Sequence, residues 1–552
     1  MRNVPVLIVG AGPAGLMASL LLEQLGVETC IIERRSGPTR TPAAHVVNAR
    51  TFEICRAAGV DADAIARAVV DPADGGWSYF ADKLGGIVLG RLPFEQQGDD
   101  QLEVTPTPLR NISQNRFEPL LLDTLKAHGR TPSWNLQWES ATQDEKVVVS
   151  RIRDLVSDEV LEVRGDYLLA CDGAGSRVRK SLDIEMVGPD SIRSFVMVHL
   201  RTSVRDRAGD PPGLLFFLQS PDLGGGCFVV HDLDRETVYM HPIDPEEESV
   251  DDYDEARCAE IVRRALAQPD LEFEVETISS WTMTAQVAES YGEGRIFLAG
   301  DSAHRFPPTG GLGLNTGVQD AHNLAWKLAW VLRGDAPGSL LDTYEQERRA
   351  VAQNNADQSL RNAMRLIQVP QATGILDDPQ TVIADVMAEA EGRTRVEEAV
   401  ANQAEHFDLT GLHLGFAYAE GALVPDAGTS PNPETRRFTP SGAPGHRLPH
   451  IWLADGASLL DRVPLDRFLL VAGPEGEAWL DAAPQDARVV TLRLTEAHVP
   501  ELSRWLTEAG IEATGALLVR PDQHVAWRSR VPPADPAQAV RDALSQAVDG
   551  NA

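Results

Sequence analysis

Apolar positions along this chain alternate between two rhythms. Short, mostly apolar runs at 6–9, 29–32, 167–171 and 296–299 predict buried strands of a parallel sheet. Between the first two, apolar residues recur at helical spacing as far as Leu25. The same spacing through Val318, Ala321, Leu324, Ala325, Leu328, Val331 and Leu332 predicts a second helix, which Gly334 ends. From 186 to 284 the helical pattern is lost, and β-like runs at 195–200, 214–218, 227–230 and 237–240 predict a sheet. The Gly224-Gly225-Gly226 run reads as a hairpin turn there, because a strand and not a helix follows it. Helical pattern dominates 334–423. Six prolines among Gly, Ser and Thr then mark 425–449 as a linker. Beyond it, strands at 468–471, 489–492 and 515–519 alternate with helical stretches.

The turns that follow the strands carry the candidate chemistry. The first strand runs straight into G-A-G-P-A-G at 10–15, and the second ends at Glu33, 18 residues beyond Gly15. In a strand–helix–strand context, Gly10 makes the turn, Gly12 admits a pyrophosphate and Gly15 lets helix and strand pack closely. Ala14 and Arg34 belong to the same site, and the acid at 33 suits an adenosine ribose. The pattern predicts a dinucleotide site and leaves FAD and NAD open. The run at 296–299 delivers Gly300-Asp301 to a strand's C-terminal end, where open α/β sheets place ligands. A Pro- and Gly-rich loop at 307–311 leads to a helix whose first turn holds Gly313, Leu314, Asn315 and Thr316, with Asn or Thr as N-cap. Its dipole, roughly half a positive charge, suits an anion such as the edge of a reduced flavin. An ordinary strand–loop–helix corner is the competing reading.

Composition narrows the class. With 552 residues, 43% apolar and 24% charged, the chain is globular and holds several domains. A formal charge of −32 argues against nucleic acid and anionic membrane as partners. Five cysteines, without C-x-x-C or metal-ligand spacing, fit a reducing compartment and no metal site. No apolar run is long enough to span a membrane, and the N-terminus does not read as a signal peptide, so the expected location is cytoplasmic.

Three motifs in order carry a resemblance. They are the fingerprint at 10–15, D-G-A-G-S-R-V-R at 172–179, and G-D-S-A-H-R-F-P-P-T-G-G-L-G-L-N at 300–315. The chain resembles the class A flavoprotein aromatic hydroxylases, the para-hydroxybenzoate hydroxylase superfamily, with Ser302 where the family has Ala. The C-terminal part, closing on L-L-V-R-P-D at 517–522, is similar to the thioredoxin-like domain of the phenol hydroxylase branch. The resemblance implies an α/β fold: a Rossmann-like FAD-binding domain at 1–185 and 285–345, with an inserted β-sheet substrate domain at 186–284. A helical region at 346–424, the linker at 425–449 and a thioredoxin-like domain at 450–552 would follow. That last domain has no cysteine, so packing or dimer support is its expected role, dispensable for the chemistry.

The resemblance also implies roles. Asp301 would hold the ribityl hydroxyls of FAD, while Gly313, Leu314 and Asn315 face the isoalloxazine. Asp172 and Gly173 would serve FAD and the reducing nucleotide. Arg50 and Gln114 match positions that contact FAD, with a surface salt bridge or helix cap as the competing reading. Only one fingerprint is present, so NAD(P)H has no module of its own. Pro307 and the aromatic side chains Phe216, Phe217, Phe228 and Tyr239 would line the substrate pocket, though any single aromatic is more readily core. The implied reaction is hydroxylation of a phenolic ring by O2 and NAD(P)H through a flavin C4a-hydroperoxide, ortho to an existing hydroxyl. A larger polyketide-derived aromatic is the alternative substrate, and binding or dehydrogenating an aromatic without oxygen insertion is the alternative activity. A phenol must be deprotonated, which calls for a base. His45, in A-A-H-V-V-N at 43–48, resembles the stretch of hydroxybiphenyl and chlorophenol hydroxylases that approaches the active site. An imidazole titrates in the right range, and a structural histidine is the competing reading. Pro308 would shape the pocket and offer a carbonyl to the phenol hydroxyl.

Overall fold

The computed structural model describes residues 2–428, 433–482 and 487–549. In chain order the elements that build the site are β1 (Arg2–Val9), α1 (Pro13–Gln24), β2 (Thr29–Glu33), α2 (Ala49–Ala57), β3 (Trp77–Ala81), β4 (Val88–Pro93), α3 (Gln114–Ala127) and β5 (Val160–Ala170). Then come β6 (Arg193–Arg201), β7 (Leu215–Leu218), β8 (Cys227–Asp232), β9 (Glu236–Ile243), α4 (Glu255–Ala265), β10 (Glu274–Met283) and β11 (Ile296–Leu298). The long helices α5 (Leu312–Arg333) and α6 (Asp342–Arg365) follow. Last are β12 (Phe468–Ala472), β13 (Val489–Arg493), β14 (Ala516–Val519) and β15 (Val525–Ser529).

The four apolar runs pair as a parallel sheet in the order β11-β5-β1-β2, with Val6 opposite both Tyr167 and Thr29, and Leu168 opposite Ile296. Their shared direction puts Gly10, Glu33, Asp172 and Asp301 on one edge, at the C-terminal ends of the strands. The strands are apolar throughout because they are buried in one core with α1 and α5.

The second sheet has seven strands, in the order β10-β6-β9-β8-β7-β3-β4. Two of them, β3 and β4, come from inside the segment read as FAD-binding. β3 runs parallel to β7, with Leu215 opposite Ser78. The boundary at 185–186 therefore misses two strands: a sheet is assembled by hydrogen-bond partners, which local periodicity does not name. Helix α4 covers one face, burying Phe216, Phe228 and Tyr239 with Cys258 and Val262. Each such aromatic contributes about 1.5–3 kcal/mol by leaving water. The opposite face looks toward the nucleotide edge of the first sheet.

The C-terminal sheet, β13-β12-β14-β15, is mixed, with β12 and β13 parallel and the rest antiparallel. It is the thioredoxin-like unit. Its Phe468 ring lies 5.8 Å from Trp326 and 5.3 Å from Trp330 of α5, all three fully or nearly buried. The stretch read as a linker is one only in part. Ser441, Ala443, His446, Arg447 and Leu448 are buried, because a buried salt bridge from Arg447 to Glu53 anchors it. Among the described residues, no helix is long and apolar enough to cross a membrane.

Candidate active site

The strand ends and the open face of the second sheet enclose one cavity of about 1380 Å3. At its nucleotide end, Gly12 caps α1 without a side-chain hydrogen bond, leaving the first-turn N–H groups free toward the cavity. A Cβ on Gly15 would lie 2.1 Å from the Gly10 carbonyl oxygen, so glycine there is a packing requirement. Gly10, Ala14 and the exposed Arg34 line the wall beside it. The Glu33 carboxylate accepts the Ala11 and Arg35 amides at 2.9 Å each. Burial would raise its pKa, but these amides and the Arg35 charge hold it below the ordinary value, so it stays an anion. Gln114 also lines the cavity and donates to Glu118 at 2.8 Å.

Asp301 is exposed toward the cavity. The surrounding protein raises its carboxyl above the usual range, against His304 and Arg305. Its strand-end loop is fixed from behind. Asp320 accepts the Gly300 amide at 3.1 Å and sits 2.8 Å from His304 Nε2, while Ser302 donates to the Ala170 carbonyl at 2.7 Å. His304 is therefore architectural, and the serine that replaces the family's alanine ties β11 to β5. Asp172 and Gly173 lie on the same wall. The Asp172 side chain is taken up locally, accepting Ser176 Oγ at 2.5 Å and the Arg177 amide at 2.8 Å.

Helix α5 begins against the cavity with no side-chain cap and no acid in its first turn. Its N-cap is Gly311, not Asn315 or Thr316. Gly311 has a φ of +62°, and a Cβ there would meet Val46 Cβ at 2.6 Å. Gly313 and Leu314 line the cavity, and their amides have no intrahelical acceptor. Asn315 does not reach the wall. Its amide accepts the Asn48 N–H at 2.9 Å and donates to the Val46 and Gly311 carbonyls, tying the loop after His45 to the helix start. Arg50 is likewise displaced from the expected site. It is 1% exposed, paired with Glu53 at 2.9 Å, and donates to Gln523 and the Asp522 carbonyl. It lies off the cavity lining and is no surface salt bridge, but a buried link to the C-terminal domain.

Strand register decides the aromatic wall. Successive side chains point to opposite faces, so on β7 Leu215 and Phe217 face the cavity while Phe216 stacks on Tyr79 at 5.4 Å inside the α4 core. On β8, Cys227, Val229 and His231 face the cavity, and Phe228 packs on Tyr239 at 4.7 Å. Phe216 and Phe228 are thus core, not pocket. Met197, Val238 and Met240 complete the apolar wall. Pro307 and Pro308 line the site, and the Pro308 carbonyl accepts the Gly311 amide at 3.0 Å.

His45 opens on the cavity, 5.6 Å from the Phe94 ring, with Nδ1 unpartnered. Burial lowers its pKa to about 4, out of the range expected of a free imidazole, because the imidazolium would be desolvated. It is a neutral group at pH 7. His231 and His406 also line the cavity with unpartnered Nδ1 atoms, and sequence reasoning missed both. The alternation that names Phe217 would also have named His231, once one residue of the sheet had been assigned to a face.

Comparison with known proteins agrees with this geometry. Residues 3–359 match the FAD binding domain family, and residues 441–550 match the family described as aromatic-ring hydroxylase, C-terminal. Tetracenomycin A2 monooxygenase-dioxygenase of Streptomyces glaucescens is 33% identical, over 99% of this chain and 97% of that protein. The 2,4-dichlorophenol 6-monooxygenase of Cupriavidus pinatubonensis is also 33% identical, over 98% of this chain and 95% of its own length. The crystal structure of the flavin-dependent monooxygenase PieE with FAD and substrate superposes with a TM-score of 0.90. It is 33% identical and covers 99% of each chain.

Proposed function

The chain belongs to the FAD-binding aromatic-ring hydroxylases, FAD-dependent aromatic monooxygenases that use NAD(P)H, and within that family we propose that it hydroxylates a phenolic ring carried on a larger, multi-ring aromatic. The observation that carries this is the extent of the cavity. It does not stop at the flavin cradle but continues along the apolar face of the second sheet to Met364, Ile367 and Leu376 beyond α5. At about 1380 Å3 it exceeds the roughly 300–1,000 Å3 of an ordinary small-molecule site, leaving room for fused rings beside a cofactor. Relatives named for tetracenomycin and polyketide substrates support the reading. Those named for single phenols define the competitor.

When bound, FAD supplies oxygen activation after reduction by NAD(P)H. The chain's own residues then have distinct tasks. Free amides at the α1 and α5 starts would hold phosphate and the anionic flavin edge, Glu33 would hold the ribose and Asp301 the ribityl chain. The apolar sheet face excludes water and orients the ring, while Pro307 and Pro308 close its side. Neutral His45 accepts the phenolic proton, making the ring electron-rich ortho to the oxygen.

The test is substrate-stimulated NAD(P)H oxidation under labelled oxygen gas, comparing one-ring phenols with three- and four-ring hydroxyquinones. Labelled oxygen should enter the multi-ring product, at a lower KM. Turnover of single-ring phenols alone would discard the substrate assignment. Oxidation of the aromatic without label would discard hydroxylation.

A further inference from the structure

An imidazole in the cavity wall, far along the chain from either sheet, has no task in the reaction described so far. His406 is 5% exposed, lines the cavity and closes the one-turn helix Ala404–His406. Its ring lies face to face with Phe407, centroids 4.3 Å apart and planes at 4°, and meets Phe217 of β7 edge-on at 5.6 Å. Stacking holds the ring but satisfies neither nitrogen. Nδ1 is buried without a partner, and Nε2 has no hydrogen bond among the described residues. Phenylalanine would fill the same aromatic wall without leaving a polar atom unpaired, so the nitrogens need a reason.

The turn that carries the ring is fixed from two sides. Arg365 of α6 pairs with Glu405 at 2.8 Å, and Gln403 donates to the Arg365 carbonyl at 3.1 Å. Opposite, the Glu95 amide donates to the Phe407 carbonyl at 2.7 Å. A ring held this way loses little freedom on meeting a ligand, which favours directional recognition. Leu366, next to Arg365, lines the cavity and packs in one apolar cluster with Phe217 and Phe407. His406 therefore belongs to the part of the cavity that runs on to Ile367. Two phenylalanines link it to His45: Phe94 lies 5.6 Å from His45 and 6.1 Å from Phe407. Burial, with the Arg365 charge, takes the His406 pKa down to about 3, so the ring is neutral. One nitrogen is then a donor and the other an acceptor, and a carbonyl or a hydroxyl satisfies it.

We propose that His406 is a specificity-determining residue that hydrogen-bonds a second oxygen of the substrate, a carbonyl or hydroxyl on a ring other than the one hydroxylated. This rests on the multi-ring reading above and narrows it to polycyclic aromatics oxygenated on at least two rings. His45 meets the phenolic oxygen and His406 the second one, while the apolar sheet face holds the rings between them by shape. A hydrocarbon ring in that place leaves the imidazole unpaired, so the site discriminates against the missing oxygen.

The experiment is an equilibrium titration of oxidised holoenzyme, without reductant, following the flavin spectrum as ligand binds. It compares 2-hydroxyanthraquinone, with carbonyls on its middle ring, and 2-hydroxyanthracene, with none, and uses phenol as the one-ring control. The ratio of the two three-ring affinities should fall about tenfold in His406→Phe, which keeps a stacking ring, and in His406→Leu. The loss should lie in the quinone alone, and His406→Gln, which keeps a donor and an acceptor, should recover part of it. Should one apolar variant fail to retain FAD, the other carries the comparison. An unchanged ratio in a variant that holds FAD would overturn the role of His406. A wild type that binds phenol and neither three-ring ligand would overturn the multi-ring reading instead.

Discussion

Two regions of this molecule concentrate polar groups, and they do opposite things with them. At the cofactor cradle the donors and acceptors line the cavity: uncapped helix starts at α1 and α5, the Asp301 carboxyl, the imidazoles of His45 and His231. At the seam between α5, α6 and the C-terminal domain, the charges face one another. Glu347 takes Lys327 at 2.7 Å and both terminal nitrogens of Arg520 at 2.7 Å, while Arg520 also holds Asp522 at 2.5 Å. Glu53 is shared by Arg50 and Arg447. All these side chains are at most 1% exposed. A polar group pointing into space is there for a ligand, and one closed on its neighbours is there for the fold.

The sharpest way to break this contrast is to remove one charge from the seam. Arg520→Ala leaves Glu347 and Asp522 short of a partner in a fully buried site, and should cost about 3–5 kcal/mol of stability. Thermal unfolding of the variant checks it, and a change below about 1 kcal/mol would mean the seam is ornamental. The same logic sharpens the expectation that the C-terminal domain is dispensable for the chemistry but serves packing. Deleting 445–552 strips Arg447, Arg520 and Asp522 from buried partners and Phe468 from Trp326 and Trp330, so loss of folding, not only of assembly, is the expected result.

Acid should open the seam before the cradle. Glu53 and Glu347 are both brought down from an ordinary 4.5 to about 2, burial notwithstanding, by the arginines and lysine around them. A carboxylate with a lowered folded pKa stabilises the fold fully above its unfolded pKa. That stabilisation is lost as pH falls from about 4.5 toward 2, because the unfolded chain takes up the proton first. Stability measured between pH 6 and 2 should therefore fall steeply across that window, and Glu347→Gln should flatten the slope. An unaltered slope in the variant would contradict the assignment.

In the cradle the sign reverses. Asp301 has a raised carboxyl pKa, so its ionised form disfavours the empty fold, and this burden grows as pH rises through the folded pKa. Asp301→Asn should leave the FAD-free protein as stable or slightly more so. FAD affinity should drop by about 1.5–3 kcal/mol, on the order of ten- to a hundredfold, through loss of a charged acceptor. Paired titration of FAD and melting of apoprotein separate the two. A less stable apoprotein with unchanged FAD affinity would move Asp301 to the structural side.

The two regions also differ in how far the sequence reveals them. The cradle is local: Gly10 to Gly15, Glu33, Asp172 and Asp301 each follow a strand within a few residues, and strand ends converge by topology alone. The seam joins Arg50 to residues 472 and 473 positions away, and no local pattern announces such a partner. Arg50 and Asn315 therefore read as cofactor residues because they stand next to its motifs, while their side chains point away from the cavity lining. His45 shows a further gap. Its place at the cavity was legible, but its lowered pKa was not, since burial is a property of everything packed around it.

The smallest expected effect tests the finest distinction, that between neighbouring residues of one strand. Phe216 and Phe217 are chemically identical and adjacent, and composition or hydropathy cannot separate them. The pleat sends Phe216 onto Tyr79 in the α4 core and Phe217 onto the cavity wall, where it lies 5.6 Å from His406. Phe216→Leu should cost stability, on the order of 1 kcal/mol, with the substrate KM unmoved. Phe217→Leu trims the wall against which a ring rests, so it should shift KM several-fold, roughly 1 kcal/mol of ground-state binding, with kcat little affected. Its melting temperature should change less than that of Phe216→Leu, since Phe217 is only half-buried while Phe216 is 2% exposed. A one-residue slip in the β7–β8 register would exchange the two outcomes. Melting and steady-state kinetics on the two variants therefore read the register directly, and the exchanged result would return Phe216 to the pocket and His231 to the core.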